Sequence, residues 1–119
     1  MPNLEQERAA HAWKCVQNCG KDYVNLAKSA PALVMGNGLM QTLAFFQSKS
    51  KGKDHYSNLN SHIFSWLETR FPEKCKGNNY NNVMSFLHNS DPLKYRQATE
   101  ETLEFLRWIR QFAAAVESE

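Results

Sequence analysis

The longest uninterrupted helical pattern in this chain is SDPLKYRQATEETLEFLRWIRQFAAAV, residues 90–116. It dictates what the rest of the sequence must supply. Ser90 or Asp91 offers a cap at its start, and Pro92 sits in the first turn, where a missing N–H costs nothing. Tyr95, Ala98, Thr102, Leu106, Ile109, Ala113 and Val116 recur at helical spacing and form one stripe. Phe105 and Phe112 widen that stripe, Trp108 lies at its edge, and Arg96, Glu100, Glu104, Arg107 and Gln111 occupy the opposite side. A helix with so wide an apolar arc is not stable alone in water and has to bury the arc against other helices. The sequence must therefore provide partner helices.

It does so in several segments. Asn3 with Gln6 three residues later forms a capping box for a first helix, expected to run to about Lys28 or Ser29. Its apolar arc collects Ala9, Ala12, Trp13, Val16, Cys19, Tyr23 and Ala27, with Gly20 inside the arc as a point of close helix approach. Pro31 is expected to end this helix, Asn37-Gly38 marks a turn, and a helix resumes from Leu39 to about Gln47 with Leu39, Leu43 and Phe46 buried. Tyr56 to Phe71 reads as a further helix, with a cap near Ser57 or Asn58 and with Tyr56, Leu59, Ile63, Trp66 and Leu67 inward. After a loop from Glu73 to Asn78, a short helix starting near Asn79–Asn82 carries Val83, Phe86 and Leu87. Period-two alternation and paired β-branched runs are absent. The expected fold is an all-α, single-domain helical bundle of five to six helices spanning residues 1–119.

Charge is distributed unevenly. The net charge is only +2, but residues 31–76 hold six Lys/Arg against three acids, whereas residues 77–119 hold four against six. The basic excess is local to the middle of the chain. Its densest part is Ser48-Lys49-Ser50-Lys51-Gly52-Lys53-Asp54, which reads as a flexible loop suited to phosphates rather than to base stacking, since it has no aromatic residue. A second basic feature is Lys14, Lys21 and Lys28 at seven-residue spacing, which on one straight helix form a line of ammonium groups about 10 Å apart. A third is Arg96, Arg107 and Arg110, which fall within about 60° of one another on the last helix, with Leu103 among them. An ordinary solvated face accounts for each as well, with ion pairs such as Glu104 to Arg107.

No catalytic constellation emerges. His11, Cys15 and Cys19 follow at i, i+4 and i+8, but half-buried thiols beside a lone histidine describe them better than a metal site, and neither metal nor other cofactor is expected. His11, His55, His62 and His88 are scattered, and Glu100, Glu101 and Glu104 read as helix-surface acids. Gly36 and Gly38 lack the context of a phosphate loop. Three cysteines form no disulfide framework and fit a reducing cytoplasm, and MPNLEQERAA lacks the features of a secretory leader.

Three pieces in this order, Glu7-Arg8-Ala9, GLMQTLAF from Gly38 to Phe45, and Tyr95-Arg96-Gln97 with Glu101-Thr102-Leu103 and WIRQFAAA from Trp108 to Ala115, carry a resemblance. Together they resemble the small all-helical subunit of the type III-B CRISPR (Cmr) RNA-targeting effector complex. The resemblance implies a non-catalytic structural subunit of antiviral defence. Copies of it stack on one another along a ribonucleoprotein filament beside other Cmr subunits, helping to line the path of guide RNA and target RNA. It implies that cleavage belongs to other subunits.

On that view Lys14, Lys21, Lys28, Lys49, Lys51, Lys53, Arg96, Arg107 and Arg110 are the candidate RNA contacts, and Leu103 and Trp108 the candidate contacts between subunits. The protein would need charge and shape but no base code, because pairing with the guide selects sequence. Two other classes fit the residues: a small helical DNA-binding regulator, with Asn79 to Asn82 near a recognition helix, and a protein–protein adaptor whose lysines only face solvent.

Overall fold

The computed structural model describes residues 2–73, 75 and 79–117. Six helices form among them: α1 (Leu4–Cys15), α2 (Lys21–Asn37), α3 (Leu39–Lys49), α4 (Asp54–Arg70), α5 (Tyr80–Asn89) and α6 (Pro92–Glu117). There is no strand among the described residues. The chain is all-α, as the periodicity predicts. Lys74 and Lys76, together with Gly77 and Asn78 of the expected Glu73–Asn78 loop, lie outside the described residues. None of the helices described is long and apolar enough to cross a membrane.

Caps written in the sequence set several boundaries. The Asn3 side chain accepts from the Gln6 amide at 2.8 Å, and the Gln6 side chain accepts in return from the Asn3 amide at 2.8 Å. This reciprocal pairing satisfies two donors that α1 would otherwise leave open. The Asn79 side chain accepts from the Asn82 amide at 2.9 Å to start α5, and Asp91 accepts from the Lys94 amide at 2.8 Å to start α6. Between α2 and α3, Gly38 takes φ 88°, a left-handed value that a side chain disfavours. The Tyr95 hydroxyl of α6 accepts from the Met40 amide at 3.2 Å, holding the start of α3 to the long helix.

The stripe of α6 is the floor of the core. Ala98, Thr102, Phe105, Leu106, Ile109 and Ala113 are all fully buried, chiefly against α1 and α2. Trp66 of α4 stacks on Phe105, with centroids 5.6 Å apart and planes at 11°. The α3–α4 pair closes the other side with Leu39, Leu43, Phe46, Leu59 and Ile63. Asn60 is buried there too, and its amide donates to the Leu43 carbonyl at 3.2 Å.

Several expectations fail for identifiable reasons. The first helix does not run on to Lys28 but stops at Cys15 and restarts at Lys21. Asn18 adopts φ 65°, which asparagine tolerates in a turn, and Gly20 is extended at the cap of α2. Gly20 therefore marks no close helix approach, since nothing lies within 4 Å of where its Cβ would be. Pro31 does not end a helix. It sits inside α2, because Ala27, Ala30 and Val34 around it are buried and their packing outweighs the lost backbone bond. Trp13, placed in the core arc by periodicity, is 48% exposed. The fourth helix begins at Asp54, earlier than Ser57 or Asn58.

The largest correction concerns Glu101, which is not a surface acid. Its side chain is 12% exposed and Arg8's is 16% exposed. The Arg8 guanidinium donates to both carboxylate oxygens at 3.0 and 2.7 Å, and Trp66 Nε1 donates at 3.1 Å. Arg70 Nε stands 3.8 Å away. Burial pushes the Glu101 carboxyl up, but hydrogen bonds from Arg8 and Trp66 and the charges of Arg8 and Arg70 outweigh it and hold the carboxyl below its ordinary value. One acid thus ties α1, α4 and α6 together.

His62 is half-buried. Burial drives its pKa down to about 4, with a smaller push from His11, while burial drives the Tyr23 hydroxyl upward. The phenol therefore stays protonated and shares a hydrogen bond of 2.7 Å with Nδ1 of neutral His62. His11 is lowered by burial and then by Lys14, and pairs with Ser65 Oγ at 2.8 Å.

These buried groups set the response of the fold to mutation and to pH. Glu101→Ala should lower the unfolding free energy by about 3 kcal/mol, because it strands the Arg8 charge and the Trp66 donor, whereas Glu101→Gln should cost less. Urea titration measures both. His62 remains neutral in the fold while the unfolded chain takes up a proton below its ordinary pKa. Stability should therefore be full above about pH 6.5 and fall by roughly 1.4 kcal/mol per unit of pH towards 4. His11 has the same sign. Glu101 has a depressed pKa, so its contribution is present above about pH 4.3 and is lost as the pH drops through its folded value. Urea midpoints for wild type and His62→Gln between pH 7.5 and 4.5 should show a shallower decline in the variant.

Candidate nucleic-acid interface

The candidate cations occupy different parts of the bundle. Lys14 ends α1, Lys21 opens α2 and Lys28 lies midway along α2, all exposed. Because the chain turns between Val16 and Gly20, these three do not form the single line that a continuous helix would draw. Lys21 and Lys28 remain two turns apart on one helix, a separation of about 10 Å.

The expected lysine loop is shorter than its composition suggests. Ser48 and Lys49 belong to α3, whose last turn carries Lys49, and the connection to α4 is only residues 50–53. Gly52 takes φ 76° in this turn, and Ser50 donates its hydroxyl to the Gln47 carbonyl at 2.8 Å. A tight turn and a helix end therefore present Lys49, Lys51 and Lys53 together. A flexible strand would have to order them first, at an entropic cost.

The turn meets the start of α2 across a groove of about 900 Å³. It is lined by Lys21, Asp22 and Tyr23 of α2, by Lys53, Asp54, His55 and Tyr56, and by Cys15 and Cys19. Asp22 and Asp54 sit in the first turns of their helices, where the helix dipole favours them. The two lysines inside the groove are thus matched by two carboxylates, and Lys49 and Lys51 carry the surplus positive charge beside it. Burial pushes the Cys15 thiol up to about 11 and raises Cys19 as well. Both are poor nucleophiles near neutral pH. Among the described residues no three His, Cys, Asp or Glu side chains stand close enough to hold a metal ion.

The arginines of α6 are exposed. Arg107 donates to both oxygens of Glu104, at 3.2 and 3.3 Å. Arg107 and Arg110 share a shallow groove with Trp108, Gln111, Glu104 and Glu5. Arg96 lies eleven residues before Arg107, roughly 16 Å along the axis, and stands apart from that groove.

Leu103 and Trp108 are both half-buried, on opposite sides of Glu104. Leu103 lines a polar groove with Arg8, Arg70 and Lys94. Trp108 packs on Phe112 at 5.4 Å, and Phe112 meets the exposed Trp13 edge-on at 5.3 Å. An aromatic strip crosses from α6 to α1. Its Trp13 end has no signal in the sequence, because helical periodicity assigns Trp13 to the core.

Residues 4–116 match the family model described as CRISPR-associated protein (Cas_Cmr5). The fold is similar to the crystal structure of a CRISPR-associated Cmr5 family protein from Thermus thermophilus. The TM-score is 0.77 at 25% identity over 98% of each chain. With nearly its whole length matched by the family model and the six-helix fold shared end to end, the chain belongs to the Cas_Cmr5 family of CRISPR-associated proteins.

Proposed function

We propose that this chain is a non-catalytic structural subunit of a type III-B (Cmr) ribonucleoprotein effector complex, acting in the cytoplasm in antiviral defence. Copies of it stack along the filament beside other Cmr subunits, and its basic surface helps line the path of guide RNA and target RNA. The observation that carries this reading is the short turn and helix end carrying Lys49, Lys51 and Lys53, with Lys53 across a groove from Lys21 at the start of α2. Lys21 and Lys53 line one groove, and Lys49 and Lys51 belong to the helix end and turn that carry Lys53. Such an arrangement neutralises a phosphate backbone without reading bases.

The other candidate cations serve the same path in a lesser way. Lys14 and Lys28 extend the basic side of α1 and α2, and Arg96, Arg107 and Arg110 that of α6. The net charge of +2 makes tight binding by one copy unfavourable, so affinity comes from many weak contacts summed along a stacked array. Trp108, continued by Phe112 and Trp13, supplies an aromatic surface for a neighbouring copy, and Leu103 flanks it. Aromatic side chains of this kind dominate the energetics of protein contacts.

Reconstitution with the remaining Cmr subunits and guide RNA tests the reading. Omitting this subunit should shorten or weaken the complex. Changing Lys49, Lys51 and Lys53 together to Glu should reduce target-RNA binding by roughly ten-fold or more without preventing incorporation. A chain that never co-purifies with the complex would contradict the proposal. Arg107→Gln should change the stability of the isolated chain by less than about 0.5 kcal/mol, because its ion pair with Glu104 is exposed. A urea titration of that variant checks that Arg107 is a surface group available to a partner.

A further inference from the structure

The lysine turn contains no aromatic residue, but the fold brings aromatic rings to it from both sides. Phe45 lies one helical turn before Lys49 on α3 and is 43% exposed. The Lys49 ammonium stands over its ring, 5.8 Å from the centroid. Tyr56, from the first turn of α4, meets Phe45 edge-on at 6.2 Å with planes at 89°. Behind both rings is Phe46, fully buried, at 6.1 Å from Phe45 and 5.7 Å from Tyr56. His55 covers the far side of Tyr56 at 4.6 Å.

Resting on the function proposed above, we infer that Phe45, braced by Tyr56 and Phe46 and bordered by Lys49, Lys51 and Lys53, is a stacking platform for an unpaired RNA base. An exposed large aromatic ring normally loses free energy to water, and this one is held by neighbours instead of folding inward. The core anchor Phe46 fixes its position, so little freedom is lost when a base settles on it. The Lys49 ammonium stands over the ring, and because that side chain is exposed and long it can swing aside for a base that takes its place. When a base takes the ring, the displaced Lys49 is within one side chain's reach of that nucleotide's phosphate, and Lys51 and Lys53 meet the phosphates on either side.

Single-stranded RNA is the occupant this chemistry selects. A paired duplex buries its base faces and offers only phosphates, for which the ring would be irrelevant. Stacking is tolerant of sequence, because every base has a π-face, so the platform adds affinity without adding a code. Asp54 beside Lys53 limits the charge on the groove side, which leaves the Phe45 side as the more positive one.

The test is an NMR titration of the full chain, labelled in its aromatic side chains and backbone amides, with a hexamer of oligoadenylate carried to millimolar concentration. The Phe45 and Tyr56 ring signals and the Lys49–Lys53 amides should shift together. Phe45→Ala should weaken binding about ten-fold, Phe45→Trp should retain it, and an RNA duplex of equal length should leave the ring signals unmoved. Phe45 is exposed, so the alanine variant should fold, and its amide spectrum verifies this. If Phe45→Ala binds as wild type, the lysines act alone and the platform is wrong. Absence of any shift near the turn also overturns it. In the reconstituted complex, a target affinity sensitive to the lysine reversal but not to Phe45→Ala would remove the platform and leave the RNA-lining function intact. Insensitivity to both would remove the two together.

Discussion

Glu101 carries a negative charge into the core-facing arc of α6, and three helices meet on it. Arg8 reaches it from α1, Trp66 from α4, and the indole that donates to it also stacks on Phe105 of the same helix. An ion pair of this kind is not in itself a strong source of stability, since desolvation offsets much of the attraction. Its effect is on geometry. Any slip of α1 or α4 along α6 would leave a guanidinium or an indole N–H without its acceptor inside the bundle, at several times the cost of moving an apolar contact. The apolar stripe makes helices collect on α6, and Glu101 fixes their register.

That register determines where the basic elements emerge. With α1 held by Arg8 and α4 by Trp66, the turn after Cys15 and the turn before Asp54 lie across one groove from each other. Lys21 and Lys53 are thereby brought together although thirty-two residues separate them in the chain. The candidate surface thus depends on core register as well as on the local cluster of lysines. A bundle that lost its central pairing would scatter its lysines even if every helix survived.

Much of this was legible in the sequence where a local signal and the tertiary demand agree. The stripe of α6, the Asn3–Gln6 capping box, the Asn79 cap and the restart at Leu39 are each set by residues within one or two turns. The failures arise where tertiary packing overrides a local rule. Pro31 stays helical because the face around it is buried. The break at Asn18 was hidden by an apolar pattern that continues across it from Val16 to Tyr23. Glu101 was readable in principle, since it is three residues after Ala98 and one before Thr102, within the buried arc. Beside Glu100 and Glu104, it reads as one more surface acid. Of the candidate site, the lysine cluster at Lys49–Lys53 is visible in the sequence, but the Phe45–Tyr56 pair beside it depends on the fold and has no contiguous signature.

The central claim is that the surface formed by Lys21 and the Lys49–Lys53 turn faces RNA in the assembled particle. Quantitative lysine acetylation of the Cmr complex, mapped by mass spectrometry with and without target RNA, tests it most directly. Our account predicts that Lys21, Lys49, Lys51 and Lys53 lose reactivity several-fold when target RNA is bound, while lysines away from the turn, such as Lys94, change little. Equal reactivity of those four lysines in both states would contradict it.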